Sequence, residues 1–219
     1  MVLFKDRADA GKRLAEHLKA YAGRPDVIVL ALPRGGVPVA YEVARAINAP
    51  LDIFLVRKLG VPGQEELALG ALASGGVRVL NPALLRELRL PENVLDALTN
   101  RESIELERRE RAYRGDRPLP EVKGKTVILV DDGLATGASM YAAVVALREH
   151  QPARIVVAVP VASPETCAAF RDLVDEIVCA YTPQPFHGVG LWYEDFSQTS
   201  DEEVHELLNS AMEEYSFSG

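Results

Sequence analysis

The chain has 219 residues, 48% of them hydrophobic, which suffices for one α/β core and gives no sign of disorder. A net charge of −8 argues against broad attachment to nucleic acid or to an anionic membrane, although an anionic ligand would still need a local basic site. No apolar run approaches the roughly 18 to 20 residues of a membrane span, and the charged first ten residues, with Lys5, Asp6, Arg7 and Asp9, lack a secretion signal's apolar stretch; a cytoplasmic protein is expected.

Ala8, Leu14, Ala15 and Leu18 recur at helical spacing, so residues 7–22 read as an amphipathic helix stopped by Gly23. The apolar run Val27 to Leu32 suits a strand buried on both faces of a parallel sheet. Pro33, Arg34, Gly35 and Gly36 follow it, then a helix through about Ile47 and a second apolar run, Leu51 to Val56. Strand, turn, helix, strand is a βαβ unit with a right-handed crossover. Glycines punctuate residues 57–80, which read as a long mobile loop with a short hairpin around Ser74, Gly75 and Gly76. Asn81-Pro82 has the form of a helix start.

Residues 91–115 alternate Arg and Glu and read as a helix with a solvated face, with Thr99 and Glu102 in a capping box. A connector over residues 114–125 leads to three strand-helix units: strands at Thr126 to Val130, Arg154 to Val159 and Glu176 to Tyr181. The first is followed by a helix from Gly137 to His150, the second by a helix capped by Ser163 with Pro164 at its first position. Cys167 and Cys179 form no CxxC pair and have no histidine at metal spacing, so they read as small buried core residues in a reducing compartment. An aromatic, turn-rich stretch over 182–199 precedes a terminal helix, capped by Ser200 with Glu203, through about Met212. The alternation predicts a single α/β domain built on a doubly wound, mostly parallel sheet, its core about 24–181 and a hood and C-terminal helix about 182–214.

The most informative stretch is Val127 to Ser139. An apolar strand runs straight into two carboxylates, Asp131 and Asp132, and then into small residues that open a helix. Ligands of open α/β sheets sit beyond the carboxyl ends of the strands. Gly133, Thr136, Gly137, Ala138 and Ser139 leave backbone amides uncovered at a helix N-terminus, which suits a phosphate monoester. Two acids beside that phosphate would repel it unless they face something else, such as the vicinal hydroxyls of a ribose. One acid would suffice for a plain helix cap. No P-loop, GxGxxG or GxSxG motif occurs, which argues against a small kinase, a Rossmann dehydrogenase or an α/β-hydrolase.

Asp131 to Ser139 resembles the 5-phosphoribosyl-1-pyrophosphate (PRPP) signature of type I phosphoribosyltransferases. The resemblance implies that Asp131 and Asp132 bind the ribose hydroxyls and that Ala135, Thr136, Gly137, Ala138 and Ser139 cradle the 5-phosphate. Leu32 to Gly36 resembles the family's pyrophosphate loop, with Arg34 as a permanent cation and Gly35 and Gly36 permitting close approach. The segment Phe54 to Gly63 resembles the start of the mobile catalytic loop of adenine-type members, so Arg57 and Lys58 are expected at the departing pyrophosphate. Glu65 or Glu66 could accept a proton from the base. Ala135 stands where several hypoxanthine-guanine enzymes carry an Asp, so that proton acceptor is missing and no subfamily is identified. The family's hood holds the base, and here Phe186, Trp192, Tyr193 and Asp195 are its candidate contacts.

The resemblance therefore implies transfer of 5-phosphoribosyl from PRPP to a nucleobase-like acceptor. The catalytic set would be Asp131, Asp132, Lys58 and Arg34. Mg²⁺ would be held mainly by PRPP, with Asp131 and Asp132 as its nearest protein groups and no direct ligand set. A homodimer is compatible with it. The alternative is a non-catalytic PRPP-sensing regulator on the same fold.

Overall fold

The computed structural model describes residues 2–218, with side chains described across that span except at 65, 66, 217 and 218. In chain order, helix α1 (Arg7–Glu16) precedes strand β1 (Val27–Ala31), helix α2 (Gly36–Ile47) and the short strand β2 (Leu51–Ile53). Strands β3 (Val56–Val61), β4 (Gln64–Ala73) and β5 (Val77–Leu80) come next, then helices α3 (Pro82–Leu88) and α4 (Glu92–Arg114). Strand β6 (Thr126–Val130), helix α5 (Ala138–Glu149), strand β7 (Arg154–Val161), helix α6 (Pro164–Phe170), strand β8 (Glu176–Tyr181) and helix α7 (Asp201–Ser218) complete the chain.

The main sheet has the order β2-β1-β6-β7-β8 and every pairing in it is parallel. Strands β1 and β6 are buried at all five positions because helices cover both faces, which is why each is a continuous apolar run rather than an alternating one. Val29, Ile128 and Val156 point to one face, toward α1, α2 and α7; Ile28, Leu129 and Val157 point to the other, toward α5 and α6. Each such aliphatic side chain stabilises the fold by about 1.5–3 kcal/mol relative to exposure. This is the predicted doubly wound architecture.

Several local expectations are corrected. Residues 57–80 hold the expected hairpin, turning at Ser74 to Gly76 between β4 and β5, but in place of a long loop they form most of an antiparallel three-stranded sheet, β3-β4-β5. Leu59, Leu69 and Leu72 from one face of it pack on Leu98 of α4 and on the leucines of α3. No helix starts at Thr99. Helix α4 runs through it from Glu92, Thr99 donates its hydroxyl to the Leu95 carbonyl within the helix, and Glu102 is taken up by Arg57. The N-terminal helix ends at Glu16, with a 3₁₀ turn at Lys19–Tyr21, and α7 runs past Met212 to Ser218. Cys167 and Cys179 are paired as a disulfide between α6 and β8, not held apart as reduced core residues. The expected caps at Asn81, Ser163 and Ser200 are present: their side chains accept from Leu84, Thr166 and Glu203 amides respectively. No helix among the described residues is long and apolar enough to cross a membrane.

Candidate active site

From β1 the chain winds outward through α2 to β2, and from β6 it winds the other way through α5 to β7. The carboxyl ends of these adjacent strands border a crevice where the winding reverses, the usual ligand position in an open α/β sheet. In-phase pairing, Ala31 beside Val130, brings the loops after both strands out at one level. Leu32 N–H still donates to the Val130 carbonyl at 2.9 Å, which ties the two exits together.

Asp131 and Asp132 stand at this exit, each with part of its surface still open. The Asp132 amide donates to Asp131 Oδ1 at 2.8 Å. Asp132 Oδ2 accepts from Arg7 Nε at 2.9 Å, and the Asp132 carbonyl accepts from the Tyr193 hydroxyl at 2.6 Å. Arg7 also donates to the Ser197 carbonyl at 2.6 Å and lies 4.1 Å from the centre of the Phe196 ring. Burial pushes the Asp131 carboxyl well above the ordinary carboxylate range; the charge of Asp132 adds to this, while the Asp132 amide and Arg7 oppose it. Burial also raises Asp132, with Arg7 as its main counterweight. Arg7 was missed in the sequence. Its contact spans 125 residues, and no local pattern marks it.

Gly35 and Gly36 show why the 33–36 loop needs glycine. A Cβ on Gly35 would stand 2.1 Å from Asp132 Oδ2, and one on Gly36 would stand 2.8 Å from the Val130 carbonyl oxygen. The loop backbone therefore lies directly against the acid pair. The Pro33–Arg34 peptide is cis, and Arg34 reaches Asp201 at the start of α7 at 3.6 Å.

The loop from Leu134 to Ser139 is held from behind by α6. Leu134 exchanges backbone bonds with Val161 and Ser163, and Thr166 donates its hydroxyl to the Ala135 carbonyl at 2.6 Å. Gly137 turns the chain into α5 with φ of 76°, and a Cβ there would meet Phe170 at 2.7 Å. Gly137 is buried, whereas Ala135, Thr136, Ala138 and Ser139 are exposed. A helix whose first-turn amides lack intrahelical partners opens from an uncovered loop, which is a suitable seat for an anion.

The remaining expected site residues do not all meet here. Successive strand side chains point to opposite faces. Arg57 accordingly turns to α4 and pairs with Glu102 at 2.6 Å, while exposed Lys58 borders a cavity of about 460 Å³ between the small sheet and Ala138 and Tyr141 of α5. The side chains of Glu65 and Glu66 lie outside the described residues. In the hood, Tyr193 is buried against Phe4 at 5.2 Å between ring centres, and Phe186 stacks on Trp192 at 6.4 Å. Asp195 is exposed, and its Oδ1 accepts the Ser197 amide at 2.9 Å. Helix α4 presents more than a solvated face: Glu102, Leu106, Tyr113 and Arg114 are buried, and Arg109 and Tyr113 reach the cleft.

The match to known proteins follows this geometry. Residues 4–182 match the model of the phosphoribosyl transferase domain. The Mycobacterium tuberculosis protein named "Putative phosphoribosyl transferase Rv0571c" is 46% identical over all 219 residues, which make up 49% of its own length. The chain thus spans about half of that relative. The "Bifunctional protein PyrR" of Chloroflexus aurantiacus is 33% identical over 130 residues, 58% of this chain and 65% of that protein. The crystal structure of TT1426 from Thermus thermophilus superposes with a TM-score of 0.84 at 45% identity, covering 95% of this chain and 99% of that one. With a family model spanning the whole sheet and both cleft loops, this chain belongs to the type I phosphoribosyltransferases.

Proposed function

We propose that the protein transfers the 5-phosphoribosyl group of PRPP to a nucleobase-like nitrogen acceptor and releases pyrophosphate. The observation that carries the reading is the placement of Asp131 and Asp132 at the mouth of β6, directly before an uncovered loop that opens α5. In this reading the two carboxylates accept hydrogen bonds from the 2- and 3-hydroxyls of the ribose. Backbone amides and hydroxyls over 135–139 receive the 5-phosphate. The glycine loop beside the acids, with Arg34, faces the pyrophosphate.

In the reaction the bond from ribose C1 to the pyrophosphate oxygen breaks, the bond from C1 to the acceptor nitrogen forms, and the acceptor loses its proton. Positive charge develops on the ring as the pyrophosphate leaves, and Asp131 and Asp132 stand where a negative field would favour it. Arg7 keeps Asp132 oriented and opposes its protonation.

The donor set is compatible with Mg²⁺. Among the described residues no group of three or more metal-binding side chains gathers, so a cation here would rest on substrate oxygens and water, with Asp131 and Asp132 as the adjacent protein groups. Bound there, Mg²⁺ would neutralise charge on the pyrophosphate.

A second reading, a PRPP-binding regulator without catalysis, draws on the hood. Tyr193 is buried against Phe4, Trp192 is half-buried in the same cluster with Leu3, and Asp195 is occupied by a local amide. The test is PRPP- and Mg²⁺-dependent pyrophosphate release across a panel of purines and pyrimidines. Turnover with at least one base, lost in Asp131→Asn/Asp132→Asn, is expected. PRPP binding without turnover on any base selects the regulator, and wild-type rates in the double variant overturn the assigned roles.

A further inference from the structure

The two cations at the start of β3, Arg57 and Lys58, do not line the cleft beside Asp131. Arg57 is committed to Glu102 at 2.6 Å, with Glu105 at 4.0 Å, and Lys58 faces a different cavity beside Ala138. The cleft beside Asp131 is a space of about 130 Å³ whose walls include Leu32, Pro33, Ser139, Tyr113 and Arg109. Among the described residues Arg109 is the one cation in that wall. It comes from α4, a helix outside the strand-helix alternation of the main sheet.

Its presentation suits an anion. Glu105 Oε1 accepts from Arg109 Nε at 2.9 Å, which fixes the plane of the guanidinium at its inner edge. No hydrogen bond among the described residues engages the two terminal nitrogens of Arg109, and 43% of the side chain is exposed. A planar fork held by its Nε, on a residue that lines the cleft and whose outer nitrogens have no hydrogen bond among the described residues, matches phosphate geometry. Arg108 provides an internal contrast. Glu105 binds it through both Nε and a terminal nitrogen, it is 60% exposed, and it does not line the cleft.

The geometry points to Arg109 as a pyrophosphate-binding residue of α4, lining the same cleft as Pro33 at the start of the glycine loop. This rests on the PRPP reading above. It makes α4 part of the binding wall rather than a surface helix, and it leaves Arg57 a structural tie between β3 and α4.

The experiment compares two ligands that differ only in the group at C1. PRPP carries the pyrophosphate and ribose 5-phosphate does not. Calorimetric binding of each, with Mg²⁺, is measured for the wild type, Arg109→Ala, Arg109→Lys and Arg108→Ala. Arg109→Ala should weaken PRPP about tenfold or more and leave ribose 5-phosphate within about twofold, because only the charge-assisted bonds to pyrophosphate are removed. Arg109→Lys should recover part of the loss, and Arg108→Ala should match the wild type for both ligands. Equal affinity of Arg109→Ala and wild type for PRPP overturns the assignment, as does an equal loss for both ligands. Failure of the wild type to bind either ligand instead overturns the PRPP reading itself, a separate result.

Discussion

Burial and the neighbouring charge of Asp132 both favour the protonated form of Asp131 in the folded protein. A carboxyl raised above its unfolded value stabilises the fold fully below that unfolded value, and the contribution is lost as pH rises through the folded one. At neutral pH the ionised Asp131 is therefore a liability to the ligand-free protein. Asp131→Asn removes the charge and keeps an oxygen to accept the Asp132 amide. Its ligand-free melting temperature should exceed that of the wild type at about pH 8, and the gap should close on acidification toward the ordinary carboxylate value of 3.8. Thermal melts across that range check the sign; a variant less stable at high pH contradicts it. Stability held below its optimum by an active-site charge is a common feature of functional sites. Asp131 and Asp132 were legible in the sequence because strand, acids and helix start are contiguous. Arg7 and Arg109 were not, and Tyr193 stood out only as a hood aromatic rather than as a partner of Asp132, because their contacts with the cleft join distant parts of the chain.

At the scale of elements, the loop over 134–139 depends on α6. Gly137 must adopt a left-handed conformation where a side chain would also press on Phe170 and Thr166. Gly137→Ala should therefore disturb the loop locally, costing about 1–3 kcal/mol. Ribose 5-phosphate affinity should fall about tenfold by calorimetry while far-ultraviolet circular dichroism stays that of the wild type. Unchanged affinity would mean that the loop does not seat the phosphate. Elements of the main sheet were readable because burial on both faces leaves an unbroken apolar run. Residues 57–80 were not, because antiparallel strands packed on one face alternate, and glycines inside them mimic loop punctuation. Thr99 and Glu102 fit a cap by spacing alone. The apolar seam of α4 through Leu98 and Leu106, and the demand of Arg57 for a partner, carry the helix straight through them.

For the molecule as a whole, the order β2-β1-β6-β7-β8 creates the crevice, and no local pattern in the chain specifies that order. Alternation of strands and helices gave the fold class; which strands neighbour each other came from tertiary packing. The Cys167–Cys179 link belongs to this scale too, since α6 and β8 meet only once the sheet is assembled. The hood stands at this same end, where Phe4 donates its amide to Trp192 and pairs with Tyr193, so the N-terminal segment, the hood and the acid pair form one connected unit through Arg7 and Tyr193. With a net charge of −8, the proposed binding of a multiply anionic sugar phosphate would rest on such local features.

Titration of PRPP with Mg²⁺ into the wild type and into Asp131→Asn/Asp132→Asn, followed by isothermal calorimetry, bears on that unit most directly. One molecule of PRPP should bind per chain of the wild type, and the double variant should bind about a hundredfold or more weakly, the loss of two carboxylates that each accept a ribose hydroxyl. Equal affinity in the two proteins, or a wild type that takes up no PRPP, would contradict the account.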